Sequence, residues 1–186
     1  MLISGRHIVF LCIALAIVGC NRTGPQRPSQ RSSEPPKADS AMIALLEVNQ
    51  RMAAACDREL LELTDSLHTA DGSEWALMSC GGWKQRRNVE AQQLDIYCEN
   101  PKHKEIWNVR VRAEHLNGQM AEDTECAYSI KSYKLPIAVE EALEDMCSGE
   151  KSIVYAPWYC AYGVHGNELV KPYESVKFEI YLGEKQ

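Results

Sequence analysis

From Ala142 the chain reads A-L-E-D-M-C-S-G-E-K-S-I-V-Y-A-P-W-Y-C-A-Y-G-V-H-G to Gly166, and from Val170 it reads V-K-P-Y-E-S-V-K-F-E-I-Y-L to Leu182. Few folds accommodate this order of signals. Val139, Leu143 and Met146 recur on one side of a helix expected over residues 138–146, with Glu140, Glu141, Glu144 and Asp145 on the other and Gly149 just beyond as a stop. A strand over 151–155 follows, then an Ala-Tyr-Gly loop. In the last strand Val176, Phe178, Ile180 and Leu182 alternate with Lys177, Glu179 and Tyr181, so one face is buried and the other wet.

Residues 75–83, 94–98 and 106–112 are short runs of β-formers upstream of that helix, and in the last of them Trp107, Val109 and Val111 alternate with polar residues. Leu116-Asn117-Gly118 signals a hairpin, because Asn-Gly tolerates the positive φ of a tight turn. One helix set after several antiparallel strands and before two more predicts an α+β domain, a curved antiparallel sheet wrapped on a short helix.

The order helix, Gly-Glu-Lys turn, strand, Ala-Tyr-Gly loop and final strand resembles the C-terminal half of the FKBP-type peptidyl-prolyl cis-trans isomerases, over about residues 82–182 and most closely after Leu135. The resemblance implies an FKBP-like fold around a proline-binding pocket. It implies two catalytic residues: Tyr162, the loop tyrosine whose hydroxyl meets the substrate carbonyl, and Phe178, the aromatic wall on the final strand. Leu135, Pro136 and Ile137 fall where apolar residues frame the pocket with a backbone N–H between them. With ungapped spacing back from Gly149, Pro136 takes the donor position and has no N–H to give; a one-residue slip restores Ile137. Val139 takes the floor, where the family usually has Trp, and Val170 adds apolar enclosure. The family's post-hairpin F-D-S reads Ala121-Glu122-Asp123, so Glu122 keeps the acid while the aromatic is lost, and Val111 stands where a strand tyrosine is expected. With this lining replaced, the cup is wider, shallower or refilled by Trp158 and Tyr128.

Such a pocket needs neither nucleophile nor cofactor. Rotation about an X-Pro bond faces about 18–20 kcal/mol because the nitrogen lone pair is conjugated with the carbonyl. An apolar cup that strips water from the imide binds the twisted state better than the planar ones. The expected partner is therefore a proline-containing segment of polypeptide.

At the other end, Arg6, an apolar stretch from Ile8 to Val18 and then Ile17-Val18-Gly19-Cys20 look like a bacterial lipoprotein signal, with residues 1–19 removed and Cys20 lipidated. The stretch is too short to span a bilayer comfortably. An ordinary signal peptide with a chance cysteine is the alternative. The expected location is the cell envelope, anchored in the lipid bilayer through Cys20, and Asn21 in place of an Asp points to the outer membrane. Residues 20–40, rich in Pro, Ser and Arg, read as a disordered tether. Removing the five Lys+Arg and two Asp+Glu of residues 1–40 from the chain's 20 and 26 leaves 15 against 24, an acidic domain with no footprint for nucleic acid.

Residues 41–72 read as an N-terminal amphipathic helix to about Leu67, capped by Asp39 or Ser40, ended by the turn signals that begin at His68, and 73–186 as the FKBP-like domain. Leu45, Met52, Leu60 and Leu63 are expected to pack that helix on the outer face of the sheet, beside Ile153 and Tyr155. A helix with this tether in front resembles the FKBP-type lipoproteins associated with gliding motility in Bacteroidetes, which implies an envelope complex as a further partner. The five histidines show no metal-ligand spacing and no C-x-x-C occurs, so no metal is expected. Cys56, Cys80, Cys98, Cys126, Cys147 and Cys160 remain after Cys12 and Cys20, allowing up to three disulfides of open connectivity. Two readings stand: an envelope prolyl isomerase for exported proteins, and a binding module that keeps the fold without the catalysis.

Overall fold

A computed structural model of the chain describes residues 39–86 and 100–186. Cys20, the segment expected to be a signal, most of the expected tether, Cys98 and the strand expected over 94–98 lie outside the described residues. The elements are α1 (Ser40–Asp71), β1 (Trp75–Leu77), β2 (Trp83–Gln85), β3 (Ile106–His115), β4 (Met120–Ser129), α2 (Ile137–Leu143), β5 (Lys151–Ala156) and β6 (Val176–Lys185). The strands form one antiparallel sheet in the order β1-β2-β5-β6-β3-β4. This is the expected α+β layout.

Period-two alternation builds the core. Val109, Val111 and Ala113 of β3 lie opposite Leu182, Ile180 and Phe178 of β6, and all six are buried. Against them α2 sets Ala138, Val139, Ala142 and Leu143, with Met146 beyond its end. Burial of each large apolar side chain is worth roughly 1.5–3 kcal/mol. The β3–β4 turn closes as its Asn-Gly predicts: Gly118 has φ +84° and donates to the His115 carbonyl at 2.8 Å. A bulge follows, since Ala113 pairs with Glu122 and Glu114 with Met120, leaving Ala121 as the extra residue beside the core.

The acids of α2 depart from the expected pattern. Glu144 and Asp145 are exposed, but Glu140 is 7 % exposed and Glu141 half-buried. Glu140 is tolerated inside because the Tyr128 hydroxyl and the Leu135 N–H donate to it. Glu141 accepts the N–H groups of Ser79 and Cys80 at 2.6 and 3.0 Å, anchoring the β1–β2 turn on the helix. Helical periodicity cannot register donors that arrive from other strands.

Helix α1 also differs from expectation. It continues through His68 to Asp71 and stops at Gly72, whose φ is +74° and whose N–H bonds the His68 carbonyl. Cys56, Leu60 and Thr64 are its buried residues, and Leu60 with Leu63 meets Trp158, Trp83, Tyr155, Tyr159 and Tyr173. Docking on the Tyr155 face therefore holds for Leu60 and Leu63. Leu45 and Met52 are 56 % and 40 % exposed, as are Met42, Ile43, Leu46 and Val48 nearby. A helix of 32 residues is about 48 Å long, more than the surface beneath it can cover.

Residues Ala41–Gln186 form one compact unit, so α1 is part of the same body as the sheet. Cys147 is disulfide-bonded, whereas Cys56, Cys80, Cys126 and Cys160 are free thiols. Of the up to three bridges that six cysteines allow, the described residues thus show one bridged cysteine and four free ones. Among the described residues no helix is long and apolar enough to cross a membrane.

Candidate functional site

The loop after β5 is locked before it presents Tyr162. Pro157 opens a single 3-10 turn, Trp158–Cys160, in which Cys160 N–H bonds the Pro157 carbonyl at 3.0 Å. Gly163, at φ +74°, then returns its N–H to the Trp158 carbonyl at 2.7 Å. Tyr162 is thereby laid over Phe178, with ring centroids 6.0 Å apart and planes tilted by 45°. Its hydroxyl donates to Glu122 Oε2 at 3.0 Å.

Register explains why those three residues meet. Phe178 pairs with Ala113 across β6 and β3, and Ala113 pairs with Glu122 across β3 and β4. Directly opposite residues share a face of the sheet, so Phe178, Ala113 and Glu122 form one row. The small Ala113 leaves room for the Tyr162 ring to span it. Glu122 also accepts from Thr124 Oγ1 at 2.9 Å. Burial first, then the Glu122 charge and its hydrogen bond, pushes the Tyr162 hydroxyl above the ordinary phenol range, so it stays a proton donor.

The remaining expected site residues divide into floor and rim. Phe178 and Val139 have no exposed surface, Val170 is 1 % and Val111 8 % exposed: these four are floor, sealed in the core. Leu135, Ala121 and Tyr162 pack on that core half-buried and make the rim with Glu122. Pro136 is half-buried immediately before α2 and offers no N–H, while its carbonyl accepts from Val139 and Glu140. Ile137, the first residue of α2, is 57 % exposed and stands apart from the floor. Phe178 is thus a wall behind Tyr162 and not an open surface.

Of the two aromatics expected to refill the cup, Tyr128 is buried in the same core as Val111, Val139 and Phe178, and Trp158 is not. Trp158 belongs to the cluster under α1, edge-on to Tyr173 at 4.9 Å. Tyr128 turns to Glu140, and its oxygen accepts the Lys134 N–H at 3.3 Å. Burial and that carboxylate push the Tyr128 hydroxyl up. The pair fixes residues 134–136, the segment that forms the rim. Glu140 stands in a run of acids in the sequence, where only its position one residue after Val139 marks it.

A separate pocket of about 360 Å³ lies between α1 and the β3–β4 turn, lined in part by Cys56, Glu59, His115, Tyr173 and Glu174. His115 Nδ1 meets Glu174 Oε1 at 2.7 Å, and Cys56 Sγ meets Ser175 Oγ at 2.9 Å. Burial pushes the Cys56 thiol up, so it is a poor nucleophile. Among the described residues no group of three His, Cys, Asp or Glu is placed to hold a metal ion.

Residues 98–183 match the family model of the FKBP-type peptidyl-prolyl cis-trans isomerases. Comparison with curated proteins returns no match. The matched span contains β3, β4, α2, β5, the Tyr162 loop and most of β6, that is, every residue of the floor and rim.

Proposed function

We propose, taking residues 98–183 as an FKBP-type domain, that its rim of Tyr162, Glu122, Ala121 and Leu135 receives proline-containing polypeptide and weakly accelerates rotation about X-Pro bonds. The observation that carries this reading is Tyr162 held over Phe178 with its hydroxyl protonated and aimed at the rim. A proline ring entering between Leu135 and Tyr162 loses water against the apolar rim, and the twisted imide, whose conjugation is broken, loses least. Tyr162 offers one hydrogen bond to the substrate carbonyl.

Two features keep the activity weak. Tyr162 must leave Glu122 before it can donate to substrate, and a hydrogen bond to a charged group is worth about 1.5–3 kcal/mol. The floor is made of valines and a covered Phe178, so the enclosure is shallow.

The lipoprotein signal at Cys20 supports an envelope location facing exported proteins, whose proline steps last tens of seconds unaided. Fatty-acid labelling tests the anchor: wild type takes label and partitions with membranes while Cys20→Ser does neither, and equal labelling contradicts it. A second reading, a binding module within an envelope complex, is favoured by Pro136, which removes a backbone donor from the rim. Proline-limited refolding of a substrate protein separates the two. Acceleration by the full chain supports the isomerase, and a folded chain that leaves the slow phase unchanged supports the module.

A further inference from the structure

The pocket of about 360 Å³ beside the β3–β4 turn exists only because α1 stands over it. Met52, Ala55, Cys56 and Glu59 supply its helical wall, and α1 lies ahead of the span that matches the family, residues 98–183. The facing wall comes from His115, the turn after it and residues 173–175. The pocket is therefore an addition to the matched domain and not a part of its cup.

Register places the two sites side by side. Ala113 pairs with Phe178 and His115 with Val176, so His115 and Val176 form the next row on the face that carries the cup, about 7 Å further along. Two residues of extended polypeptide span the same distance. The sites also share one segment of chain. Tyr173, in the pocket wall, donates its N–H at 3.3 Å to the carbonyl of Gly163, the residue after Tyr162.

The lining is acidic and apolar together. Glu59 and Glu174 bring carboxylates, and no lysine or arginine is among the described residues that line it. Burial raises the Glu174 carboxyl, but the Lys171 N–H at 2.8 Å and His115 at 2.7 Å outweigh it and hold it below the ordinary carboxylate range. Met52, Ala55 and Leu116 offer apolar contact, and Tyr173 an aromatic ring. Such a lining suits a long aliphatic stem that ends in a cation.

We propose, resting on the reading of the cup as a proline site, that this pocket takes the side chain of a lysine or arginine two residues from the proline of a bound polypeptide. The ammonium or guanidinium meets Glu59 and Glu174 while its stem lies along Met52 and Leu116. The added helix thereby makes the domain selective for basic segments around X-Pro bonds.

The test uses the full-length chain in detergent and pairs of proline peptides that differ in one residue, lysine against norleucine, placed two residues before the proline in one pair and two after it in the other. Norleucine keeps the stem and drops the charge. Dissociation constants are read by NMR titration, with the Met52 methyl signal reporting on the pocket. In at least one pair the lysine peptide should bind about three- to tenfold more tightly and shift the Met52 methyl. Glu59→Gln should abolish the difference, whereas Glu62→Gln, which removes an exposed acid of α1 outside the pocket, should keep it. Equal affinities within both pairs overturn the proposal, as do equal losses in the two variants or a Met52 methyl that no peptide moves. Binding is read apart from catalysis. A lysine preference without faster cis-trans exchange would sink the isomerase reading and keep the subsite, and faster exchange without the preference would do the reverse.

Discussion

Tyr162 donates its hydroxyl to Glu122 Oε2 at 3.0 Å, across the Phe178–Ala113–Glu122 row of the sheet. The polar group best placed to meet a substrate is engaged before the substrate arrives. Glu122→Ala should therefore free it and raise kcat/KM on an X-Pro peptide by a few-fold, whereas Tyr162→Phe should lower it by less than tenfold, about 1 kcal/mol of transition-state stabilisation. A fall in Glu122→Ala matching that of Tyr162→Phe would mean that the pair acts as one unit on the substrate.

The buried carboxylate of Glu140 should be costly to strand. Removing the Tyr128 hydroxyl leaves it without its donor from β4, so Tyr128→Phe should destabilise the protein by about 1–3 kcal/mol in urea unfolding. Glu140→Gln, which keeps an acceptor, should cost less and should loosen residues 134–136, weakening peptide binding. Equal stability of wild type and Tyr128→Phe would contradict the pairing.

Helix α1 should be energetically uneven. Leu60 has no exposed surface, and Leu60→Ala should cost about 2–5 kcal/mol by leaving a cavity beneath Trp158. Shortening the helix from its start through Val48 removes only exposed side chains and should leave the unfolding midpoint unchanged. Loss of stability on shortening would show that the exposed leucines are covered within the folded chain.

How much of this was legible in the sequence depends on where the partners come from. The strands expected over 106–112, 151–155 and 176–182, which prove to be most of β3, β5 and β6, the Asn-Gly hairpin and the buried side of α2 were readable, because each is written in local alternation or turn chemistry. Tyr162, Phe178 and Glu122 were picked out by resemblance, and their row becomes visible only through the register of three strands. The inward turn of Glu140 and the exposure of Leu45 were not readable. Both depend on surfaces supplied from far along the chain: Tyr128 and Leu135 in one case, and the limited extent of the Tyr155–Trp158 face in the other. The bulge that leaves Ala121 unpaired was hidden for the same reason.

Acid should weaken the fold through Glu105. Lys185, the Lys102 N–H and the Trp107 indole hold its carboxyl down to about 2, below the ordinary carboxylate range. A folded value below the unfolded one means that the contribution is complete above about pH 4.5 and is lost as pH falls toward 2. Glu179 is likewise held low, burial being outweighed by Lys151 and Lys177. The unfolding midpoint should therefore fall between pH 5 and 2, and less steeply in Glu105→Gln. An identical acid limb in the variant would remove Glu105 from the account.

Exchange NMR on a short X-Pro peptide, with and without the full-length chain in detergent, tests the isomerase reading most directly. Unaided interconversion takes tens of seconds at 25 °C, so even weak catalysis is measurable. Cis-trans exchange should be faster with wild type, with a less than tenfold loss in Tyr162→Phe and a larger loss in Phe178→Ala checked to be folded. A folded wild-type chain that binds the peptide and leaves its exchange rate unchanged would contradict catalysis and leave the binding module in its place.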